Sequence, residues 1–174
     1  YQEWLGTGVL LASLAQTMVD GDPQALALAS ETCASFAREG VGLNAPYFMW
    51  GLALGSARIG KPEAVQPLIQ DALRRAESTG ETRSCAELTI LQAQHETDAD
   101  TRAALLRHAC TLAEARGDVT TALRAVAMLV VLRSRQPQLL ESAQAVLAVL
   151  DGEMAYPDQP DWIRQRLDTL RRQV

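Results

Sequence analysis

Gly55, Gly60 and Lys61 stand in the G-x-x-x-x-G-K spacing of a phosphate-binding loop, Gly55-Ser56-Ala57-Arg58-Ile59-Gly60-Lys61. In such a loop backbone amides cradle phosphate oxygens and the lysine reaches the outer phosphates. Here Pro62 follows, where a Ser or Thr would hold magnesium, and the preceding stretch has the periodicity of a helix. The motif needs a strand-to-helix turn, so no phosphate site is expected. His95 and His108 are the two histidines, and neither has a partner one helical turn away suited to a zinc site. Glu96 adjoins His95, which points the two side chains in different directions on a helix. Asp98 and Asp100 are explained as helix caps, because short acidic side chains accept hydrogen bonds from free backbone amides. No carboxylate pair is set for acid–base work. The expectation is a chain that is not an enzyme on its own, with no catalytic residues, no metal and no cofactor.

Cys33, Cys85 and Cys110 cannot all pair with one another, and none lies in a C-x-x-C spacing. They fit the role of small buried hydrophobes in a reducing cytoplasm. Arg164, Arg166, Arg171 and Arg172 crowd the C-terminal end but are interspersed with Asp161 and Asp168, as on a solvated helix face. The net charge of −5 and the lack of a long basic run disfavour direct binding of nucleic acid by this segment. The apolar runs at 9–15 and 125–132 fall short of the roughly eighteen residues of a membrane span, so no membrane is expected. The chain opens at Tyr1 with neither an initiator methionine nor a signal-peptide pattern, as a processed product or a piece of a longer protein would. Its expected localisation is cytoplasmic.

The elements that would position any site are helices. Nearly half of the 174 residues are apolar but only 5% are aromatic, a mix that favours closely packed helices over strands. The stretch 65–81 is echoed elsewhere: Leu68, Ile69, Ala72, Ala76 and Gly80 have counterparts at Leu105, Leu106, Ala109, Ala113 and Gly117, and looser ones at Leu28, Ala29, Thr32, Phe36 and Gly40. Each copy is an amphipathic helix with a small residue near its middle and a glycine at its end, as stacked helical hairpins require.

In order, a first helix is predicted over 4–19, on the spacing of Leu5, Val9, Leu10, Leu14 and Met18. A second follows an Asp22 cap and Pro23 and ends near Glu39. Asn44 is predicted to cap a third, over 45–59. A turn is expected over 60–63, and the fourth helix follows it to about Ser78 with Pro67 inside its first turns, a residue that bends a helix or delays its start. Further helices are expected over 83–95, from Asp98 or Asp100 to about Arg116, over 119–134 and over 137–150. A loop over 151–160 precedes a last helix over 161–172, with Trp162, Ile163, Leu167 and Leu170 on one face to cap the exposed end.

Two of these helices can be laid on the tetratricopeptide pattern. Leu52 and Ala53 fall on its Leu-Gly positions, Gly60 on its turn glycine, and Val65, Ile69 and Ala72 on its second-helix positions. Ser56 replaces the usual aromatic, Val65 the usual alanine, and the closing proline is missing. The chain resembles the C-terminal tetratricopeptide-repeat (TPR) region of large bacterial winged-helix/ATPase transcriptional regulators and adenylate-cyclase-type signalling proteins. The segments GDPQALALASETCASFA, GKPEAVQPLIQDALRRAESTGETRSCAELTILQAQ and LRAVAMLVVLRSRQ carry the resemblance. It implies an all-α, right-handed TPR-like superhelix in a single domain over 1–174. About four helical hairpins, near 1–40, 44–80, 82–117 and 119–151, would be closed by a capping helix over 161–173.

In a tetratricopeptide stack the first helix of each pair lines the concave side. That places Tyr47, Trp50, Leu54 and Arg58 on the groove, then Glu87, Leu91 and Gln94, then Arg124, Met128, Val131 and Arg135. Such a groove suits an extended or helical peptide with an acidic group, held by apolar anchors and charge-assisted bonds. Core filling between hairpins is an equal alternative for each position, because groove and core faces lie one helical step apart. The implied function is recognition of a protein, a peptide or another domain of the same polypeptide, as the sensing part of a bacterial transcriptional regulator or signalling ATPase. Two alternatives are a receptor for an anionic small molecule, with Arg58, Arg124 and Arg135 converging on the anion beside Trp50 and Tyr47, and a self-association scaffold forming a homodimer.

Overall fold

The computed structural model describes residues 2–40, 44–151 and 162–172, with side chains from Trp4 onward. Among these residues all regular structure is helical: α1 (Gln2–Asp20), α2 (Pro23–Arg38), α3 (Ala45–Arg58), α4 (Pro62–Thr79), α5 (Cys85–Gln94), α6 (Ala99–Ala115), α7 (Val119–Arg133), α8 (Pro137–Leu150) and α9 (Trp162–Arg171). The chain is thus all-α, as expected. Residues 41–43, most of the predicted loop over 151–160, and Asp161 lie outside the described residues.

The helix ends are set by local chemistry. Asp22 caps α2 by accepting from the Gln24 amide at 2.8 Å, with Pro23 in the first turn. Asp98 and Asp118 do the same for α6 and α7, accepting from the amides of Thr101 and Thr121. Asn44 stands before α3 but does not cap it with its side chain, contrary to expectation. Its backbone is left-handed at φ 60°, a conformation that asparagine tolerates better than most residues, and its amide donates to Glu81 Oε1 at 3.1 Å. Pro67 neither delays nor ends α4, which starts at Pro62 and carries Pro67 on its exposed side. The start of the fifth predicted helix is instead a 3-10 turn, Thr82–Ser84. The repeat glycines Gly40, Gly80 and Gly117 have φ of 75°, 74° and 72°, so each ends its helix in the left-handed conformation that a glycine adopts without strain.

The Asp98 cap has a pH consequence. Hydrogen bonds from the Thr101 amide and hydroxyl hold its carboxyl below its ordinary range. A carboxyl lowered in the folded state stabilises it above the unfolded-state pKa, and that contribution vanishes as pH falls through the folded value. The melting temperature of Asp98→Ala should therefore lie below that of the wild type near neutrality, and the gap should close between about pH 5 and pH 2. A gap that is constant with pH would show that the cap does not act through its charge.

The chain divides into two compact units, Tyr1–Leu91 and Gln92–Val174, with the boundary inside α5, in the hairpin expected over 82–117. In the first unit α1 pairs with α2, α3 pairs with α4, and α3 also packs on both α1 and α2. Leu10, Leu14, Leu26, Ala29, Phe36, Phe48 and Leu52 form the core between them. Gly51 and Gly55 let α3 approach closely: a Cβ at Gly55 would sit 2.7 Å from Leu26 Cδ1 and 3.2 Å from Thr17 Cγ2. A second cluster joins Met49, Ala53, Val65, Ile69, Ala72, Leu88 and Leu91. Of the periodic residues of α1, Leu10 and Leu14 are buried, whereas Leu5, Val9 and Met18 face outward with Trp4, Leu11 and Val19.

In the second unit α7 is central. It buries Ala122, Leu123, Ala125, Val126, Ala127, Leu129 and Val130, and packs against α6, α8 and α9. A helix apolar on nearly every side must be surrounded, and these three neighbours surround it. Gly117 turns the chain back sharply, so α6 and α7, expected in successive hairpins, are themselves closely packed. An Arg133–Asp100 pair at 2.6 Å ties the last turn of α7 to the first turn of α6. On α9, Leu167 and Leu170 are buried and Trp162 and Ile163 half-buried, in keeping with the expected apolar face. Arg171 grips Glu114 at 2.7 Å, fastening α9 to α6 where a fully solvated face was expected.

Candidate functional site

On α3, Tyr47, Trp50, Leu54 and Arg58 follow one another at helical spacing and share one side. Tyr47 is 42% exposed, Trp50 and Leu54 are half-buried, and Arg58 is exposed in the last turn. The rings of Tyr47 and Trp50 are tilted against each other with centroids 5.6 Å apart. Trp50 and Leu54 rest their inner edges on the cluster that contains Leu88 and Leu91. The core therefore fixes the apolar part of this stripe, while Tyr47 and Arg58 stay accessible. Arg58 has no partner among the described residues.

The other expected groove residues are placed differently. Leu91 is 3% exposed and belongs to the core, because α5 buries Ala86, Leu88, Thr89, Ile90, Leu91 and Ala93 and has almost no outward side. Glu87 beside it is half-buried. In the second unit Gln94 is exposed, and Met128 is half-buried against the cluster of Ala93, Ala103, Leu106 and Leu129. Arg124 is occupied: it donates to the Leu150 carbonyl at 2.9 Å and pairs with Asp151. A guanidinium at a helix C-terminus satisfies a free carbonyl and opposes the helix dipole, so Arg124 holds the end of α8. Val131 and Arg135 are exposed.

The phosphate-loop spacing has a wholly structural origin. Gly55 lies inside α3, where it admits Leu26. Gly60 has φ of 74°, and the amides of Gly60 and Lys61 donate to the carbonyls of Ala57 and Ser56 at 3.2 and 2.9 Å. This is the double closure of a helix end by a left-handed glycine, and it engages the amides that would otherwise face a phosphate. Glu96 is likewise committed, accepting from the amides of Thr97 and Asp98 at 2.7 and 2.9 Å. Among the described residues no group of three or more His, Cys, Asp or Glu could hold a metal ion, and no helix is long and apolar enough to cross a membrane.

Two clefts were not foreseen. The first, of about 180 Å³, lies between α2 and α4 over a floor of Phe48, Met49 and Leu52 from α3, with Cys33, Asp71 and Arg75 at its sides. The second, of about 320 Å³, is bounded by α6, α7 and α9 and holds Cys110, Glu114 and Arg171. Cys33 and Cys110 each follow the repeat's small-residue position, one place after Thr32 and Ala109. Burial raises both thiols, Cys110 to about 11 with help from Glu114, so both are protonated near neutrality. The shared repeat position was the signal available in the sequence; the charged groups around it come from other helices. No family model, curated protein or solved structure matches the chain.

Proposed function

We propose that the chain is a protein-interaction module of tetratricopeptide type, which binds a peptide segment across the outward side of α3. The observation that carries this reading is the Tyr47–Trp50 pair, an accessible aromatic step braced on the core, with Arg58, unpaired among the described residues, about two turns further along the same side of α3. Rigid aromatics next to arginine are the groups most enriched among binding hot spots. The complementary ligand has an apolar or aromatic anchor followed by a carboxylate. Its source is a partner protein or another domain of the same polypeptide, in keeping with a sensing region of a bacterial transcriptional regulator or signalling ATPase. The repeating left-handed glycines and the buried small residues Ala72, Ala76, Ala109 and Ala113 support the hairpin-repeat assignment.

An acidic amphipathic peptide carrying one aromatic residue, titrated by calorimetry, tests this proposal. Tyr47→Ala and Arg58→Gln should each weaken binding by about tenfold with little change in melting temperature, and the Arg58 contribution should fade with salt. Unchanged affinity in both variants would remove α3 as the binding face.

A second reading is self-association through α1. Trp4 is 81%, Leu5 68% and Val19 75% exposed, and Leu11 and Met18 lie on the same open side. Contiguous exposed apolar surface of this kind marks interaction sites. Light scattering over a range of concentrations distinguishes it: the mass should rise toward a dimer in the wild type and stay monomeric in Leu5→Glu. A wild type that remains monomeric excludes it.

A further inference from the structure

The cleft between α2 and α4 has the features of a small-molecule site separate from the α3 stripe. Its floor and walls are apolar, from Phe36, Phe48, Leu52 and Leu68, and its volume is about 180 Å³. A dry cavity of about 150 Å³ admits a benzene ring, so this one holds a single aryl or branched aliphatic group and little more. Its polar groups gather on one side. Asp71 accepts from Arg74 at 3.1 Å through one carboxylate oxygen and from Arg75 Nε at 3.0 Å through the other. Each oxygen thus holds one arginine, and of the two Arg75 is the one that lines the cleft. Arg75 uses only Nε in this pair, and its terminal nitrogens have no partner among the described residues. Ser30 adds a hydroxyl at the same cleft, and Cys33 a neutral thiol.

We propose that this cleft binds a small free carboxylic acid with one aryl or branched aliphatic group, the apolar group seated on Phe48 and Leu52 and the carboxylate held by the terminal nitrogens of Arg75. A cationic ligand would meet the Arg75 guanidinium at the cleft, and a neutral one lacks the charge that this guanidinium complements. Two adjacent guanidinium nitrogens match the two oxygens of a carboxylate, so the acid forms a bidentate ion pair unavailable to its amide.

The test is titration of the full chain with phenylacetate, phenylacetamide and the tripeptide Gly-Gly-Phe, followed by NMR shifts of the Leu52 and Leu68 methyl groups. Phenylacetate should saturate with an affinity about fivefold or more above the amide, a ratio scaled down for a half-exposed arginine. Arg75→Gln, on the exposed side of α4, should erase that preference while leaving amide binding unchanged. Ala34→Leu, which fills the cleft from α2, should abolish the binding of both. The proposal is overturned if neither small compound saturates, if acid and amide bind equally to the wild type, or if the preference survives Arg75→Gln. A tripeptide that binds more tightly than phenylacetate would assign the cleft to a peptide C-terminus and overturn the free acid as ligand.

Discussion

Ile69→Ala is expected to lower the unfolding free energy by about 2–5 kcal/mol, the range for deleting a fully buried aliphatic side chain from a core that relaxes only partly. Ile69 is 0% exposed and sits where α3, α4 and α5 meet, in one cluster with Met49, Ala53, Val65, Leu88 and Leu91. Met49 and Ala53 lie on α3, which is also held by α1 and α2, and this leaves little room for collapse into the cavity. Urea denaturation followed by circular dichroism reads the effect, with a shifted midpoint and an unchanged slope. Gln70→Ala, one residue along on the exposed side of α4, is the control and should change stability by less than about 0.5 kcal/mol. A small effect at Ile69 would mean that the three helices do not share this core.

Gly55→Leu is the second large effect, in the opposite sense, since it adds volume. The new side chain would enter the space of Leu26 Cδ1 and Thr17 Cγ2. Leu26 can rotate, but the Thr17 methyl is pinned because its hydroxyl donates to the Ser13 carbonyl at 2.9 Å. Overpacking of this kind costs about 1–3 kcal/mol or forces α1 and α2 away from α3. Gly8→Ala supplies the contrast. Gly8 is helical with nothing near its missing Cβ, so alanine should stabilise by about 0.5–1 kcal/mol through helix propensity alone. If both substitutions behaved alike, close approach at Gly55 would not be the reason for its glycine.

The helices were legible because their limits are local. An aspartate before Pro23, glycines at 40, 60, 80 and 117, and Pro137 each mark an end within a few residues. Burial was less legible where a helix has no clear polar side. Along α5 nearly every residue is enclosed, so spacing alone placed Leu91 on a surface it does not have. Along α1 the polar Ser13 and Thr17 are buried while Leu5, Val9 and Met18 face outward, so apolar spacing did not mark the inner side. Arg124 reads as a free groove cation in the sequence, and only folding brings the end of α8, 26 residues away, within its reach. The cleft beside Cys33 is assembled from three helices, with Arg75 giving only its Nε to Asp71 at its side. Its floor could have been suspected, but its charge balance could not.

Selection of peptide ligands from a random display library tests the interaction proposal most directly, with the wild-type chain as bait and the double variant Tyr47→Ala, Arg58→Glu as counter-bait. The enriched peptides should share an apolar anchor followed by an acidic residue, retained by the wild type and lost on the double variant. Failure to enrich any peptide, or enrichment of peptides that bind both baits equally, would contradict it.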